Sequence, residues 1–154
     1  MCLFAKTKRL KVAKEDIKCY KRITFLFDGD KIKFCTPYQW TFVPIDVLLG
    51  KEEFSALGNL EATKGKGEYT IFGGVIHTYA FERDACESRY SDELVVACII
   101  PKGTKYIEGH DNFGCKTIAA QTIKVNAGFK NEEEIKEASS VAFENWFKKM
   151  NFTF

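Results

Sequence analysis

Hydrophobic and polar residues alternate around an Asp-Gly pair near the start of the chain. In the segment RITFLFDGDKIKFCT, Arg22 to Phe27 and Lys31 to Cys35 form two strand-like runs that flank Asp28-Gly29-Asp30. In the second run Ile32 and Phe34 alternate with lysines, so one of its faces is apolar. Glycine tolerates the positive φ that tight hairpin turns need. The pattern therefore predicts a β-hairpin.

Two later segments also carry strand patterns. ELVVACIIP is short, rich in β-branched residues and ended by proline, which is typical of a buried central strand. We expect its partner to be the run from Thr104 to Glu108, which follows the turn at Pro101. KTIAAQTIKV predicts one more strand or a pair of strands, with Ile118, Ile123 and Val125 in the core.

Helical signals are weaker in the first half of the chain. Pro44 and Gly58 suit the start and end of one helix or two short turns, although Gly50 would weaken a continuous helix. After the strand-like YTIFGGVIHTYAF, in which Gly73-Gly74 predicts a bulge or bend, Thr78 is expected to cap a short helix over Tyr79 to Arg89.

The C-terminal segment has the strongest helical pattern. Asn131, with Glu134 three residues on, predicts the start of a helix. Its broad apolar face is expected to pack on a sheet and comprises Ile135, Ala138, Ala142, Phe143, Trp146, Phe147 and Met150. Together the elements predict an α+β fold: a mostly antiparallel β-sheet covered by a C-terminal α-helix, with one or two short additional helices, in a single domain 1–154.

Composition and charge narrow the classes of function. The 154-residue chain is 45% hydrophobic and 14% aromatic, which excludes a disordered protein. Its net charge of +2 is small and argues against nucleic acid as the partner. Between Met1 and Lys33, however, ten Lys/Arg face four Asp/Glu. This region is either a solvated basic face or an anion-binding surface.

The cysteines predict free thiols in a reducing cytoplasm. The six cysteines, at positions 2, 19, 35, 86, 98 and 115, form no Cys-x-x-Cys pair and no zinc-finger spacing. We therefore expect no metal and no cofactor. The chain also has no signal-peptide pattern and no apolar run near the ~20 residues that a membrane helix needs, so no membrane partner is expected.

Three groups of residues are candidates for ligand binding. His77 and Tyr79 follow two glycines that would let a ligand approach. Lys102, Lys105 and Tyr106 bracket the Pro-Lys-Gly-Thr turn, whose amides and ammonium groups could hold a phosphate. Tyr38 and Trp40 form the third group, which could stack on a base.

Each group also has a simpler explanation. His77 can be a structural histidine, the turn can be an ordinary one with exposed lysines, and the aromatics can be packing residues. An enzyme would need His77 as acid or base, with Glu108 or Glu82 as its carboxylate partner. Because no catalytic motif appears, the sequence favours a binding protein over an enzyme and leaves the choice open.

The segment GGVIHTYAF contains the motif GGxIHTY, and the later segment VVACIIPKGTKYIEG contains the motif IPKGTKYxxG. The two motifs in this order resemble those of a small family of proteins from gut bacteria and their phages. MCLFAKTKR and DIKCYK add to this resemblance. More loosely, the PKGT segment resembles those of ADP-ribosyltransferase-like domains. The chain lacks the Arg, Ser-x-Ser and Glu-x-Glu set of one branch, and His77-Thr78-Tyr79 matches only part of the His-Tyr-Glu set of another.

The resemblance implies a phage protein in the cytoplasm of a bacterial host. We expect a non-enzymatic protein that binds an anionic small molecule of nucleotide type, with sequestration of a host immune signal as one use. One alternative is an enzyme acting on a nucleotide or NAD-like substrate, either ADP-ribosyltransferase-like or a hydrolase. The other is a protein–protein inhibitor that uses exposed aromatics such as Phe152 and Phe154. A homo-oligomer also remains open.

Overall fold

A computed structural model describes residues 3–37, 39–65, 67–71 and 75–150. The predicted α+β class is confirmed: the described residues form a mostly antiparallel sheet, a C-terminal helix and two short helices. The strands are β1 Leu3–Ala5, β2 Lys11–Val12, β3 Ile17–Asp28, β4 Lys31–Cys35, β5 Phe54–Ser55, β6 Thr63–Lys64, β7 Tyr69–Ile71, β8 Ile76–Tyr79, β9 Glu93–Ile100, β10 Lys105–His110, β11 Lys116–Ala120 and β12 Thr122–Val125. The helices are α1 Ile45–Leu48, α2 Glu82–Ser88 and α3 Glu132–Lys149.

The sheet follows the order β5-β12-β9-β3-β8-β11-β10-β1-β7-β6, with β4 paired to β3 and β2 paired to β10. The larger apolar core involves β3, β4, β9, β12, α1 and α3. A smaller core lies between β1, β7, β10 and β11. The position where β3 meets β8 therefore joins two differently packed halves of one sheet.

The predicted hairpin and central strand are both confirmed. β3 and β4 pair up to Asp28 and Lys31, and Gly29 takes a φ of 61° between them. β9 is central because β3 pairs with one of its edges and β12 with the other. The predicted pair of strands after the 111–115 turn is also present, and Ile118, Ile123 and Val125 are all buried.

The partner predicted for β9 is wrong. β10 begins at Lys105 and pairs with β11, β1 and β2 instead. The physical reason is that both edges of β9 are already occupied by β3 and β12. The turn between β9 and β10 is held to a different segment, because Ala13 donates its amide to the Thr104 carbonyl and accepts from the Gly103 amide.

Short helices occur after Pro44 and within 79–89, as predicted, but the predicted end of the first and the predicted start of the second are wrong. No helix reaches Gly58, because Gly50 turns the chain with a φ of 74° and Phe54 then enters β5. Thr78 does not cap a helix. It lies in β8, where its hydroxyl donates to the Ile118 carbonyl at 2.8 Å, and α2 begins only at Glu82.

The C-terminal helix starts as predicted. The Asn131 side chain accepts from the Glu134 amide at 3.0 Å, and the Glu134 carboxylate accepts from the Lys130 amide at 2.6 Å. Its first half packs on the core through Ile135, which is fully buried. The predicted apolar face is wrong for the second half, where three of its members are exposed: Phe143, Phe147 and Met150. The predicted bend at Gly73-Gly74, like Phe152 and Phe154, lies outside the described residues.

Candidate anion-binding site

A cavity of about 380 Å³ opens beside the junction of β3 and β8. None of its described lining residues is acidic, and two of them, Lys21 and Arg22, are basic. The lining residues are Lys21, Arg22, Thr36, Pro37, Gln39, Thr41, Phe54, Ser55, Ala56, Leu57, Val75, Ile76, His77 and Tyr79. The cavity therefore combines positive charge, hydroxyl and amide groups, and apolar and aromatic walls.

The cavity exists because the sheet separates at this point. Among the described residues, β3 and β8 share a single register pair, Tyr20 with Tyr79. Beyond it β3 continues toward its pairing with β4, while β8 remains paired with β11. The His77 carbonyl is directed toward β3, where the Lys21 ammonium donates to it at 2.8 Å. A lysine side chain thus bridges the strands where the backbone ladder stops.

Lys21 is the most unusual charged group of the cavity. It is 7% exposed, and no described carboxylate lies within 4.0 Å of its ammonium. Burial above all, and then the neighbouring Arg22, lower the pKa of Lys21 to about 8, although Glu93 acts in the opposite direction. A buried cation without a close anion is costly, and an incoming anion would relieve that cost.

Arg22 supplies a second, fixed positive charge. Its guanidinium donates to the Ser88 carbonyl at 2.7 Å and forms an ion pair with Glu93 at 3.5 Å. It also lies 5.5 Å from the centroid of the Tyr79 ring. Both Arg22 and Glu93 are buried, so the pair is held in one geometry. Arg22 therefore partly balances Glu93 and leaves Lys21 as the less neutralised cation.

The loop from Thr36 to Thr41 brings polar groups to the cavity. Three hydrogen bonds of Thr36 hold the two ends of this loop together. Its amide donates to the Thr41 carbonyl, its carbonyl accepts from the Trp40 amide, and its hydroxyl accepts from the Thr41 amide. The backbone of Trp40 lies in the left-handed region with a φ of 56°, a conformation that residues other than glycine rarely adopt. This geometry places Gln39 and Thr41 in the lining and leaves Trp40 63% exposed.

The structure brings His77 and Tyr79, two of the predicted ligand-binding residues, to this cavity. Both are buried, on alternate positions of β8. Burial raises the pKa of the Tyr79 phenol, so this group is neutral at physiological pH. Trp40 adjoins the cavity without lining it, and Tyr38 lies outside the described residues.

Lys102, Lys105 and Tyr106 are not brought to the cavity. Both lysines are exposed, and the half-buried Tyr106 packs against the larger core. The amides of the turn are also occupied: that of Lys102 donates to the Asp16 carboxylate at 2.9 Å, and that of Gly103 donates to the Ala13 carbonyl at 2.8 Å. The turn is an ordinary one, in which Gly103 provides the positive φ of 89°.

Glu108 is also separated from His77. In the sheet, Glu108 is in register with Ile118, and Ile118 with Thr78. Residues in register share a face, and adjacent residues alternate, so Glu108 projects from the face opposite His77. Glu108 forms its own ion pair with Lys11 at 3.6 Å. These two residues do not form an acid–base pair.

A second cavity of about 580 Å³ lies on the other side of Arg22 and Tyr79, which line both. Its walls come from α2, the 111–115 turn and the end of α3. The charges there are mixed, because Asp84, Glu87 and Asp111 accompany Arg89 and Lys149. The first cavity differs in that none of its described lining residues is acidic.

The sequence prediction missed Lys21 and Arg22 as site residues. It counted them within a basic N-terminal region and began the strand at Arg22, whereas β3 begins at Ile17. A usable signal was present: two adjacent cations stand between Cys19 and the apolar run that starts at Ile23. Charged residues inside a buried strand are rare unless they are paired or bind something.

Among the described residues, no group of three or more His, Cys, Asp or Glu side chains is placed to hold a metal ion. Within the same residues, no helix combines the length and apolar character needed to cross a membrane. In comparisons with known proteins, no family model, no curated protein and no solved structure matches the chain.

Proposed function

We propose that the chain is a binding protein for an anionic small molecule of nucleotide type, held in the cavity beside β3 and β8. The observation that carries this proposal is the buried Lys21 ammonium, which has a hydrogen bond to the His77 carbonyl and no described carboxylate within 4.0 Å. A phosphate would supply a negative charge in direct contact with the ammonium and additional hydrogen-bond acceptors.

The remaining lining residues support a ligand with both polar and apolar parts. The hydroxyls of Thr36, Thr41 and Ser55 and the amide of Gln39 suit ribose or phosphate oxygens. The rings of Phe54 and Tyr79 offer surfaces for a base. This mixture of a few polar groups with apolar walls is typical of small-molecule sites.

The finer part of the proposal concerns biological use. A phage protein that sequesters a nucleotide signal of host immunity in the bacterial cytoplasm is what the motif resemblance implies. The five described cysteines are free thiols, and a reducing location belongs to the same proposal. Sequestration requires that the ligand be bound and released unchanged.

The rival proposal of an enzyme acting on a nucleotide or NAD-like substrate has less support. His77 lines the cavity, but of its two predicted partners Glu108 projects from the opposite face of the sheet, and Glu82 is exposed at the start of α2 and does not line the cavity. Chromatography of the ligand after incubation separates the two proposals. Recovery of intact ligand supports binding alone, and its consumption supports an enzyme.

Calorimetric titration with nucleoside mono- and diphosphates, cyclic dinucleotides and ADP-ribose tests the proposal. At least one of these ligands is expected to bind more tightly than about 1 mM, roughly 4 kcal/mol. Lys21→Met should weaken that binding, whereas Lys102→Met should leave it unchanged. If wild-type protein binds none of the panel at this level, the proposal is wrong.

A further inference from the structure

Lys21 has the surroundings of a nucleophilic amine as well as those of a phosphate-binding cation. Lys21 lines a cavity of about 380 Å³, and its nitrogen lies 2.8 Å from the carbonyl of His77, another lining residue. Only 7% of Lys21 is exposed. The groups around it include Arg22, which disfavours a second positive charge, and Glu93, which is paired with Arg22 at 3.5 Å.

The hydrogen bond to β8 orients this nitrogen. A neutral lysine amine carries two hydrogens and one lone pair. When one hydrogen is donated to the His77 carbonyl at 2.8 Å, the lone pair must point away from that oxygen. Loss of a proton therefore need not break the contact that positions Lys21. A positioned, desolvated amine is the arrangement by which lysines attack carbonyl carbons.

We propose that Lys21 forms a reversible imine with small aldehydes that carry a phosphate or carboxylate group. This inference rests on the proposed function, because the anionic group of the aldehyde would be drawn by the same positive cavity. Arg22 also lines the cavity and offers a guanidinium, paired with Glu93, that can donate hydrogen bonds to the phosphate or carboxylate of the aldehyde.

The reaction balances without an oxidant or a cofactor. The Lys21 nitrogen adds to the aldehyde carbon and forms a carbinolamine. A carbon–nitrogen double bond then forms as the carbon–oxygen bond breaks, and the oxygen leaves as water with the two hydrogens of the amine. Borohydride reduces the imine to a stable secondary amine, which fixes the adduct for mapping.

Selectivity over the other lysines follows from the neutral fraction of each amine. Burial lowers the pKa of Lys21 to about 8, while Lys102 and Lys105 are exposed to solvent. Relative to an unperturbed lysine, Lys21 has a neutral fraction near pH 7 that is larger on the order of 100-fold. Exposed lysines should therefore react only at higher pH or aldehyde concentration.

Pyridoxal 5′-phosphate and pyridoxal are suitable probes, because they share the aldehyde and differ in the phosphate. Full-length protein is incubated near pH 7 with a small excess of either probe, reduced with borohydride and digested for peptide mapping. We expect one adduct per chain, located on Lys21, with at least tenfold more adduct from the phosphorylated probe. Lys21→Arg should remove it, and Lys102→Arg should not.

Mapping of the wild-type adduct keeps the test valid even if the Lys21→Arg protein does not fold. Adducts spread over exposed lysines, or no adduct, would overturn the imine proposal. Anion binding by calorimetry without an adduct would overturn the imine alone. A Lys21 adduct formed equally with both probes, together with no binding of non-carbonyl anions, would instead overturn the proposed function and the phosphate preference.

Discussion

Two lysine-bearing regions of the molecule, the β3–β8 junction and the Pro101–Thr104 turn, look alike in sequence and differ in the fold. At the junction, Lys21 is buried beside a cavity and hydrogen-bonded to a single described carbonyl. At the turn, Lys102 is exposed and its amide is already bound by Asp16. Burial and unused hydrogen-bonding capacity, not the presence of lysine, distinguish a candidate anion site from a solvated turn.

The largest expected effect comes from the buried ion pair at the junction. Arg22→Met would leave Glu93, which is 2% exposed, without its guanidinium partner. The free energy of unfolding should fall by about 3–5 kcal/mol, as measured by urea denaturation. The matched change at the turn, Lys102→Met, should alter it by less than about 0.5 kcal/mol. Equal effects of the two changes would remove the distinction between the regions.

Lys21→Met should have the opposite sign. It removes a buried charge at the cost of the hydrogen bond to His77, so the free energy of unfolding should rise by about 2 kcal/mol near pH 7. Urea denaturation at pH 7 measures this change. A lower free energy of unfolding for Lys21→Met than for the wild type would contradict the interpretation that the buried charge of Lys21 destabilises the fold.

The same variant gives a pH dependence with a definite sign. The pKa of Lys21 is about 8 in the folded chain, and its ordinary value, which applies to the unfolded chain, is 10.5. Between pH 8 and pH 10.5 the unfolded chain therefore binds more protons than the folded chain. Wild-type stability should therefore rise with pH through this window relative to Lys21→Met. The gap between the two proteins should narrow by about 1 kcal/mol from pH 7 to pH 9. A constant gap would show that Lys21 titrates normally.

Ligand binding should separate the same two lysines. Lys21→Met should weaken binding of the best nucleotide at least tenfold, about 1.4 kcal/mol, because the cavity loses its less neutralised cation. Lys102→Met should change the affinity less than twofold. Competitive calorimetry measures both, and a larger loss from Lys102→Met would move the site to the turn.

The smallest effect is expected from the turn itself. Asp16→Ala removes the carboxylate that accepts from the Lys102 amide at 2.9 Å. The unfolding free energy should decrease by about 1 kcal/mol, while nucleotide affinity stays unchanged. Asp16→Asn is the matched control, because its side-chain oxygen can still accept the amide. A change in affinity would indicate that the turn takes part in binding.

How far the sequence predicts this fold depends on whether the signal is local. The Asp28–Lys31 hairpin and the Asn131 cap are each encoded within a few residues, and both were predicted correctly. The pairing of β10 was not, because it depends on β9 already lying between β3 and β12. Strand order is set by contacts between distant segments, which composition and periodicity do not specify.

The candidate site also contains residues that local sequence reveals and residues that depend on contacts between distant segments. His77 and Tyr79, which line the cavity, can be predicted as candidates because they follow two glycines closely in the sequence. Lys21 was missed because its burial depends on the separation of β3 from β8, which no single segment reveals. Conversely, a local turn pattern predicts Lys102 as an anion-binding residue. In the fold, however, the amides of this turn donate to the distant residues Asp16 and Ala13.

Proton uptake on ligand binding tests the central claim most directly. Titrations of the best nucleotide near pH 8, in buffers of different ionisation enthalpy, report how many protons accompany binding. An anion beside Lys21 should raise its pKa, so wild-type protein should take up as much as about half a proton beyond that of the Lys21→Met protein. Equal proton uptake and equal affinity in the two proteins would contradict the assignment of Lys21 as the anion-binding group.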